Sequence, residues 1–80
     1  MKVDLKFMQS VFVESLQLSA DISETLSLES SFEKVEGWDS LGHMRIIMEM
    51  ETRLDVEFDI DEVIGVDTIG KLIQMAKDKL

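Results

Sequence analysis

The sequence predicts an all-α fold, a small four-helix bundle with three main helices and one short third helix. Apolar residues recur at helical spacing in separate segments, and no segment shows the strict alternation of a half-buried strand. Ser, Asp and Gly residues stand where helices would begin and end, and the chain has no proline. At this length we expect residues 1–80 to form a single domain with a thin core.

The first predicted helix runs from about Val3 to Leu18. Its apolar residues fall at spacings of three and four, which places them on one helical face. The residues that share this face are Leu5, Met8, Val11, Phe12 and Leu16.

A long ordered loop is predicted from Ser19 to Ser31. The segment is rich in serine, and its apolar residues are spaced too irregularly for a helix. We expect three of them to pin the loop to the core, namely Ile22, Leu26 and Leu28. Phe32 and Val35 are expected to reach the core beside the loop.

The second helix is predicted from Asp39 or Ser40, either of which can cap its first amides, to about Leu54. Helical spacing divides its apolar residues into two stripes, and so small a domain cannot bury both. We assign to the core Ile46, Ile47, Met50 and Leu54. The other stripe is expected near the surface and consists of Leu41, Met44 and Met48.

Two further helices complete the prediction. Ile60 to Ile64 suffices for one to two turns, and Gly65 ends it. A last helix, capped by Asp67 or Thr68, runs to about Lys79, with lysines near its C-terminus that complement the helix dipole.

Charge and composition restrict the class of function. The net charge is −9, and between Glu36 and Asp67 ten acids face only Arg45 and Arg53. This charge disfavours nucleic acids and anionic membranes and favours basic protein partners. The chain has no cysteine, so it cannot supply a thiol itself. With no secretion signal or membrane span in the pattern, we expect a cytoplasmic protein.

Asp39, Ser40 and His43 lie within five positions, which suggests a hydrolase. That interpretation lacks a nucleophile elbow after a strand and evident oxyanion donors, so we predict no catalytic residues and no enzyme activity. We expect His43 to pack or hydrogen-bond locally at the start of the helix, and the alternatives are a pH-sensing role or a role in orienting Ser40. The acids from Asp55 to Glu62 lack the central glycine and terminal acid of a calcium loop, so we predict no metal site.

Ser40 is the residue on which we base the functional prediction. A serine in the first turn of a helix projects its hydroxyl outward, and a phosphate attached there would meet the positive end of the helix dipole. Gly37 and Gly42 keep its surroundings low and accessible. The alternative is that Ser40 is only a helix cap.

The run Asp39-Ser40-Leu41, with Phe32 eight residues upstream, resembles the signature of acyl carrier proteins. The resemblance covers the whole chain, with Leu54, Phe58 and Asp67-Thr68-Ile69 at matching positions. It implies that a phosphopantetheinyl transferase esterifies Ser40, between Asp39 and Leu41, with phosphopantetheine from coenzyme A. Acyl groups are then carried as thioesters on that arm, and the carrier itself catalyses nothing.

The resemblance also implies two sets of interacting residues. Acyl groups would be sheltered by Ile46, Ile47, Met50 and Val63. Acyl-loading and acyl-accepting biosynthetic enzymes with basic patches would dock on a monomeric carrier at Leu41, Met44, Met48, Glu49, Glu51, Asp55, Glu57, Asp59, Asp61 and Glu62.

The chain departs from the pattern of fatty-acid carriers just after Ser40. Those carriers usually have an acid there, whereas this chain has Gly42, His43 and Arg45, which we expect on the exposed side. The departure favours a discrete carrier of a specialised pathway that handles small acyl, hydroxyacyl or aminoacyl units. The alternatives are a peptidyl or aryl carrier of nonribosomal peptide synthesis and an unmodified acidic helical adaptor.

Overall fold

The computed structural model describes residues 2–80 and confirms the all-α prediction. The described residues form five helices: α1 (Leu5–Leu16), α2 (Ala20–Glu24), α3 (Ser40–Leu54), α4 (Ile60–Ile64) and α5 (Ile69–Lys79). Within residues 2–80 the β-structure is limited to one isolated antiparallel bridge between Ser31 and Thr68. No helix in this part of the chain has the length and apolar character needed to cross a membrane.

The core lies between α1, α3 and α5, and α1 packs on both of the other long helices. The predicted inner stripe of α3 is confirmed, since Ile46 and Met50 are fully buried and Ile47 and Leu54 nearly so. Opposite them, the completely buried side chains are Met8, Val11, Phe12, Ile69, Leu72 and Ala76.

The first helix is shorter at both ends than predicted. Asp4 is its N-cap, with Oδ1 accepting a hydrogen bond from the Phe7 amide at 2.9 Å. Gln17 adopts the left-handed conformation, with φ of 57°, and so ends the helix after Leu16.

The prediction of a continuous loop from Ser19 to Ser31 is wrong at its start, where α2 forms. Ser19 caps this helix, and the hydroxyls of Ser23 and Thr25 donate to carbonyls three residues earlier. None of the residues of α2 is buried. Local hydrogen bonds therefore define this helix, and an apolar periodicity could not have indicated it.

The rest of the long connection is ordered, as predicted, but by different contacts. Leu26 is buried, whereas Ile22 and Leu28 are exposed, so only Leu26 anchors the loop through its side chain. The backbone supplies the remaining contacts, since amides and carbonyls of this loop pair with the start of α5. The pairs are Phe32 N–H with Asp67 O at 2.8 Å, Ile69 N–H with Ser30 O at 3.0 Å, and Gly70 N–H with Leu28 O at 2.9 Å.

An ion pair joins α4 to the end of α5. Lys79 Nζ lies 2.7 Å from Glu62 Oε1, and Glu62 also accepts from the Asp59 amide at the start of α4. The hydrogen bond from Lys79 lowers the pKa of Glu62 and raises the pKa of Lys79. Both shifts stabilise the folded chain when both groups are charged.

Replacing Lys79 with Met should flatten the response of stability to acid. Because the pKa of Glu62 is lowered from 4.5 in the folded chain, its contribution is present above about pH 4.5 and is lost as the pH falls through the lowered value. The variant lacks that contribution and should lose less stability on acidification. Urea unfolding at several pH values measures this, with Lys77→Met as the control for lost charge. Equal acid responses of Lys79→Met and the parent chain would contradict the prediction.

Candidate functional site

Ser40 is the first residue of α3, and its side chain is exposed. Asp39 is the N-cap, with extended backbone and with Oδ1 accepting from the Gly42 amide at 2.8 Å. The structure thus decides between the two possible caps. Capping is done by Asp39, so it does not explain the presence of a serine at position 40.

The start of α3 packs unusually close to the segment that precedes it. A Cβ added to Gly42 would lie 2.2 Å from the carbonyl oxygen of Gly37 and 2.8 Å from Cδ2 of Leu16. Gly37 itself has a φ of 86°, which favours glycine. The two glycines therefore bring the turn against α1, and that close packing leaves Ser40 on the outer side.

Trp38 anchors the same turn in the core. It is 2% exposed, and its ring lies edge-on to Phe12 of α1, with centroids 4.9 Å apart. Phe32 packs at 5.9 Å from the indole on another side. Since Trp38 is two residues from Ser40, these contacts restrain the position of the serine.

His43 is buried and bonded at both ring nitrogens. The indole N–H of Trp38 donates to Nδ1 at 2.9 Å, and Nε2 lies 2.9 Å from the carbonyl oxygen of Val63 in α4. The two rings are nearly parallel, with an interplanar angle of 20° and centroids 6.0 Å apart. One side chain thus links the start of α3, the turn before it and α4.

The prediction that Gly42 and His43 lie on the exposed side is wrong, whereas Arg45 is exposed as expected. His43 precedes Ile46 by three residues and Ile47 by four, which is the spacing of one helical face. The apolar periodicity of α3 therefore already included this position. His43 does form a local hydrogen bond at the start of the helix, as expected, but it does so from a buried position.

The outer apolar stripe of α3 is exposed, as predicted: Leu41 is 62% exposed, Met48 61% and Met44 41%. The short helix α4 adds two exposed apolar side chains that the sequence prediction did not include, Ile60 and Ile64. Their spacing of four residues on a short helix could have indicated them.

The predicted docking acids fall into two groups. Some have partners within the fold: Glu49 pairs with Arg53 at 2.7 Å, Glu51 Oε2 accepts from the Phe58 amide at 2.9 Å, and Glu62 pairs with Lys79. Asp59 is the N-cap of α4. Asp55, Glu57 and Asp61 are exposed, so they are the acids most available to a partner.

The four predicted acyl-pocket residues, Ile46, Ile47, Met50 and Val63, are all buried in the core. A concavity of about 450 Å³ lies nearby, with His43 in its wall, but none of the four lines it. Its lining residues are Ser31, Phe32, Glu33, His43, Ile64, Val66 and Asp67.

The geometry at Ser40 fits a covalently attached phosphate ester. The hydroxyl is exposed, it sits at the positive end of a 15-residue helix, and the cap is provided by a different side chain. An attached group would extend into solvent without displacing a core residue. The Ser40 hydroxyl is therefore accessible to a modifying enzyme.

Similarity to known proteins agrees with this geometry. The sequence profile described as "Phosphopantetheine attachment site" matches residues 8–76. A curated relative, acyl carrier protein 3 of Ralstonia nicotianae, is 42% identical over 50 residues, which cover 62% of this chain and 58% of the relative. The chain therefore spans a little more than half the length of that relative.

A solved structure has the same fold. The solution structure of a holo acyl carrier protein from Geobacter metallireducens aligns with a TM-score of 0.80 at 24% sequence identity. The alignment covers 94% of this chain and 83% of that one.

Replacing Gly42 with Ala should destabilise the protein by about 1–3 kcal/mol, because the new methyl group overlaps a backbone carbonyl that cannot move freely. Gly65→Ala is the matched control, since nothing lies within 4 Å of a Cβ at that position. Urea unfolding measures both variants. Equal free energies of unfolding for Gly42→Ala and Gly65→Ala would contradict the prediction that the close packing at Gly42 excludes a side chain.

Proposed function

The chain belongs to the phosphopantetheine attachment site family, and we propose that it is a carrier protein that bears phosphopantetheine on Ser40 and passes acyl groups between partner enzymes. The observation that carries this proposal is the exposed Ser40 hydroxyl at the N-terminus of α3, next to a cap made by Asp39. Leu41 flanks the serine on the other side and is largely exposed. In this role the chain is a carrier and not an enzyme.

Phosphopantetheine supplies a terminal thiol, which the chain lacks because it has no cysteine. A thiol can hold acyl groups as thioesters, and the protein supplies the anchor and its surroundings. The positive end of the α3 dipole favours the negative charge of a phosphodiester at Ser40. We therefore assign the role of Ser40 to attachment and that of Asp39 to fixing the helix start.

The shelter for a bound acyl group is proposed to involve Ile46, Ile47, Met50 and Val63. All four pack in the closed core. An acyl group could enter among them only if these side chains move apart, at a cost in packing. This favours small acyl units over long chains.

For partner docking we propose the exposed residues of α3 and of the segment that follows it. Leu41, Met44 and Met48 provide apolar contacts, and methionines adapt well to several partners. Asp55, Glu57 and Asp61 provide exposed negative charge. Partners are expected to present an apolar pocket bordered by basic side chains, beginning with the phosphopantetheinyl transferase.

Arg45 is exposed within the first half of the α3 surface. Arg45 places a positive charge five residues after Ser40, so a partner that fits a uniformly acidic helix would fit this surface less well. We therefore propose that the acyl-loading and acyl-accepting partners are enzymes of a specialised pathway. A free thiol on the arm persists in a reducing compartment, which supports a cytoplasmic location. The net charge of −9 makes copies of the chain repel one another and supports a monomer.

Incubating the chain with coenzyme A and a broad-specificity phosphopantetheinyl transferase should add one phosphopantetheine per chain, as measured by intact mass. Ser40→Ala should abolish the addition, because the acceptor hydroxyl is lost. Ser27→Ala, at an exposed serine far from α3 in sequence, should leave it unchanged. If a control carrier is modified under the same conditions and this chain is not, the proposed function fails.

Placing a charge in the apolar part of the docking surface should slow modification. Met48→Glu is expected to reduce kcat/KM of the transferase by roughly tenfold, because it buries a new charge against the partner. Leu80→Glu is the control, since Leu80 is 59% exposed and Met48 61%. Circular dichroism should show the same helix content in both variants. Equal rates for the two would exclude Met48 from docking.

A further inference from the structure

The one histidine of the chain is buried between three parts of the fold. It receives a hydrogen bond from Trp38 in the turn before Ser40, and its other nitrogen meets the Val63 carbonyl in α4. Val63 lies in the last turn of a five-residue helix, where carbonyls lack partners within the helix. His43 therefore satisfies two polar groups that α3, α4 and the turn would otherwise leave unpaired.

These two contacts specify one protonation state. A carbonyl oxygen only accepts, so Nε2 must carry a proton to bond to Val63. The indole N–H only donates, so Nδ1 must present a lone pair to Trp38. The ring is thus the neutral tautomer with hydrogen on Nε2. A second proton on Nδ1 would face the indole N–H and break that bond.

Two acidic residues line the concavity that has His43 in its wall. They are Glu33, from the loop before α3, and Asp67, from the segment before α5. Lys71 lies 2.9 Å from Asp67 and lowers its pKa. From α4 the histidine meets the Val63 carbonyl, and Ile64 lines the same concavity, while α1 reaches this cluster through the apolar contact of Phe12 with Trp38.

We propose that His43 is a positioning residue that, in its neutral form with hydrogen on Nε2, ties the Ser40 turn to α4, and that protonation of His43 releases this tie. Histidine is the side chain whose charge most readily changes near neutral pH. The tie itself is independent of the proposed function. Its effect on the modification of Ser40 rests on that function.

The first test uses the unmodified chain. Long-range proton–nitrogen NMR of His43 should show hydrogen on Nε2 and none on Nδ1 at pH 8. Trp38 is the only tryptophan and the chain has no tyrosine, so indole fluorescence reports this site alone. As the pH is lowered until the His43 resonances report protonation, the emission and the indole N–H resonance should change together with them. Hydrogen on Nδ1 at pH 8, or an indole that does not respond while His43 titrates, would overturn the proposal.

The second test uses one variant that lacks both hydrogen bonds of His43 and one that lacks only the bond from Trp38. His43→Phe leaves both polar groups unpaired, and Trp38→Phe retains an aromatic ring against Phe12 but removes the donor. Amide hydrogen exchange in α4 at pH 8 should quicken by about tenfold or more in His43→Phe, since a buried hydrogen bond is lost. In Trp38→Phe the amide exchange in α4 should no longer depend on whether His43 is protonated. Unchanged exchange in His43→Phe, or a retained dependence in Trp38→Phe, would refute the tie.

Two further variants test whether the pH response belongs to His43. Glu33→Gln and Asp67→Asn remove the carboxylates of the two acidic residues that line the concavity, and each variant should retain the fluorescence transition. Loss of the transition in either variant would assign it to that carboxylate and overturn the role of His43.

The effect on Ser40 is measured separately by transferase kinetics. The ratio of kcat/KM for the parent chain to kcat/KM for Trp38→Phe should fall as His43 becomes protonated. Both carriers are assayed with the same transferase at each pH, so the pH response of the transferase cancels in this ratio. A constant ratio between the two carriers would refute positioning of Ser40. If Ser40 is not modified at all, the proposed function fails. The NMR and hydrogen-exchange measurements still test whether His43 links the Ser40 turn to α4.

Discussion

The position of Ser40 depends on one close approach, that of Gly42 to the carbonyl of Gly37 and to Leu16 of α1. Because no side chain fits there, the first turn of α3 lies directly against the preceding segment. This brings Trp38 onto Phe12 and turns His43 inward, while Ser40 stays exposed on the opposite side. The exposed Ser40 is thus held on the surface by contacts that are themselves almost entirely buried.

The acidic residues of α3 and α4 are divided between the fold and the surface. Two of the predicted docking acids form contacts within the fold: Glu51 accepts a hydrogen bond from the Phe58 amide, and Glu62 forms an ion pair that joins α4 to Lys79. The acids left exposed, such as Glu57 and Asp61, follow or flank these structural ones. Acids that stabilise the fold and acids that remain exposed are therefore neighbours in one segment. Substitutions intended to probe docking must separate the two groups, because Glu51→Lys would remove a backbone partner as well as a charge.

Much of this structure could be predicted from the sequence, where apolar spacing carries the information. The inner stripe of α3, from Ile46 to Leu54, and the exposed Leu41 and Met48 follow from helical periodicity alone. The helix α2 could not be predicted in this way, since local hydroxyl–carbonyl bonds define it and it buries nothing. His43 had the spacing of a core residue but the character of a surface one. Its two bonding partners, at Trp38 and Val63, became evident only in three dimensions.

The central claim is that the chain carries its chemistry on a group attached at Ser40. Trypsin cleaves after Lys34 and Arg45, and in the resulting peptide, residues 35–45, Ser40 is the only residue with a hydroxyl side chain. Mass spectrometry of the digested, transferase-treated chain therefore locates the attachment without further fragmentation. We predict a phosphopantetheine addition on the peptide of residues 35–45 and on no other. An addition on a different peptide would contradict the assignment of Ser40.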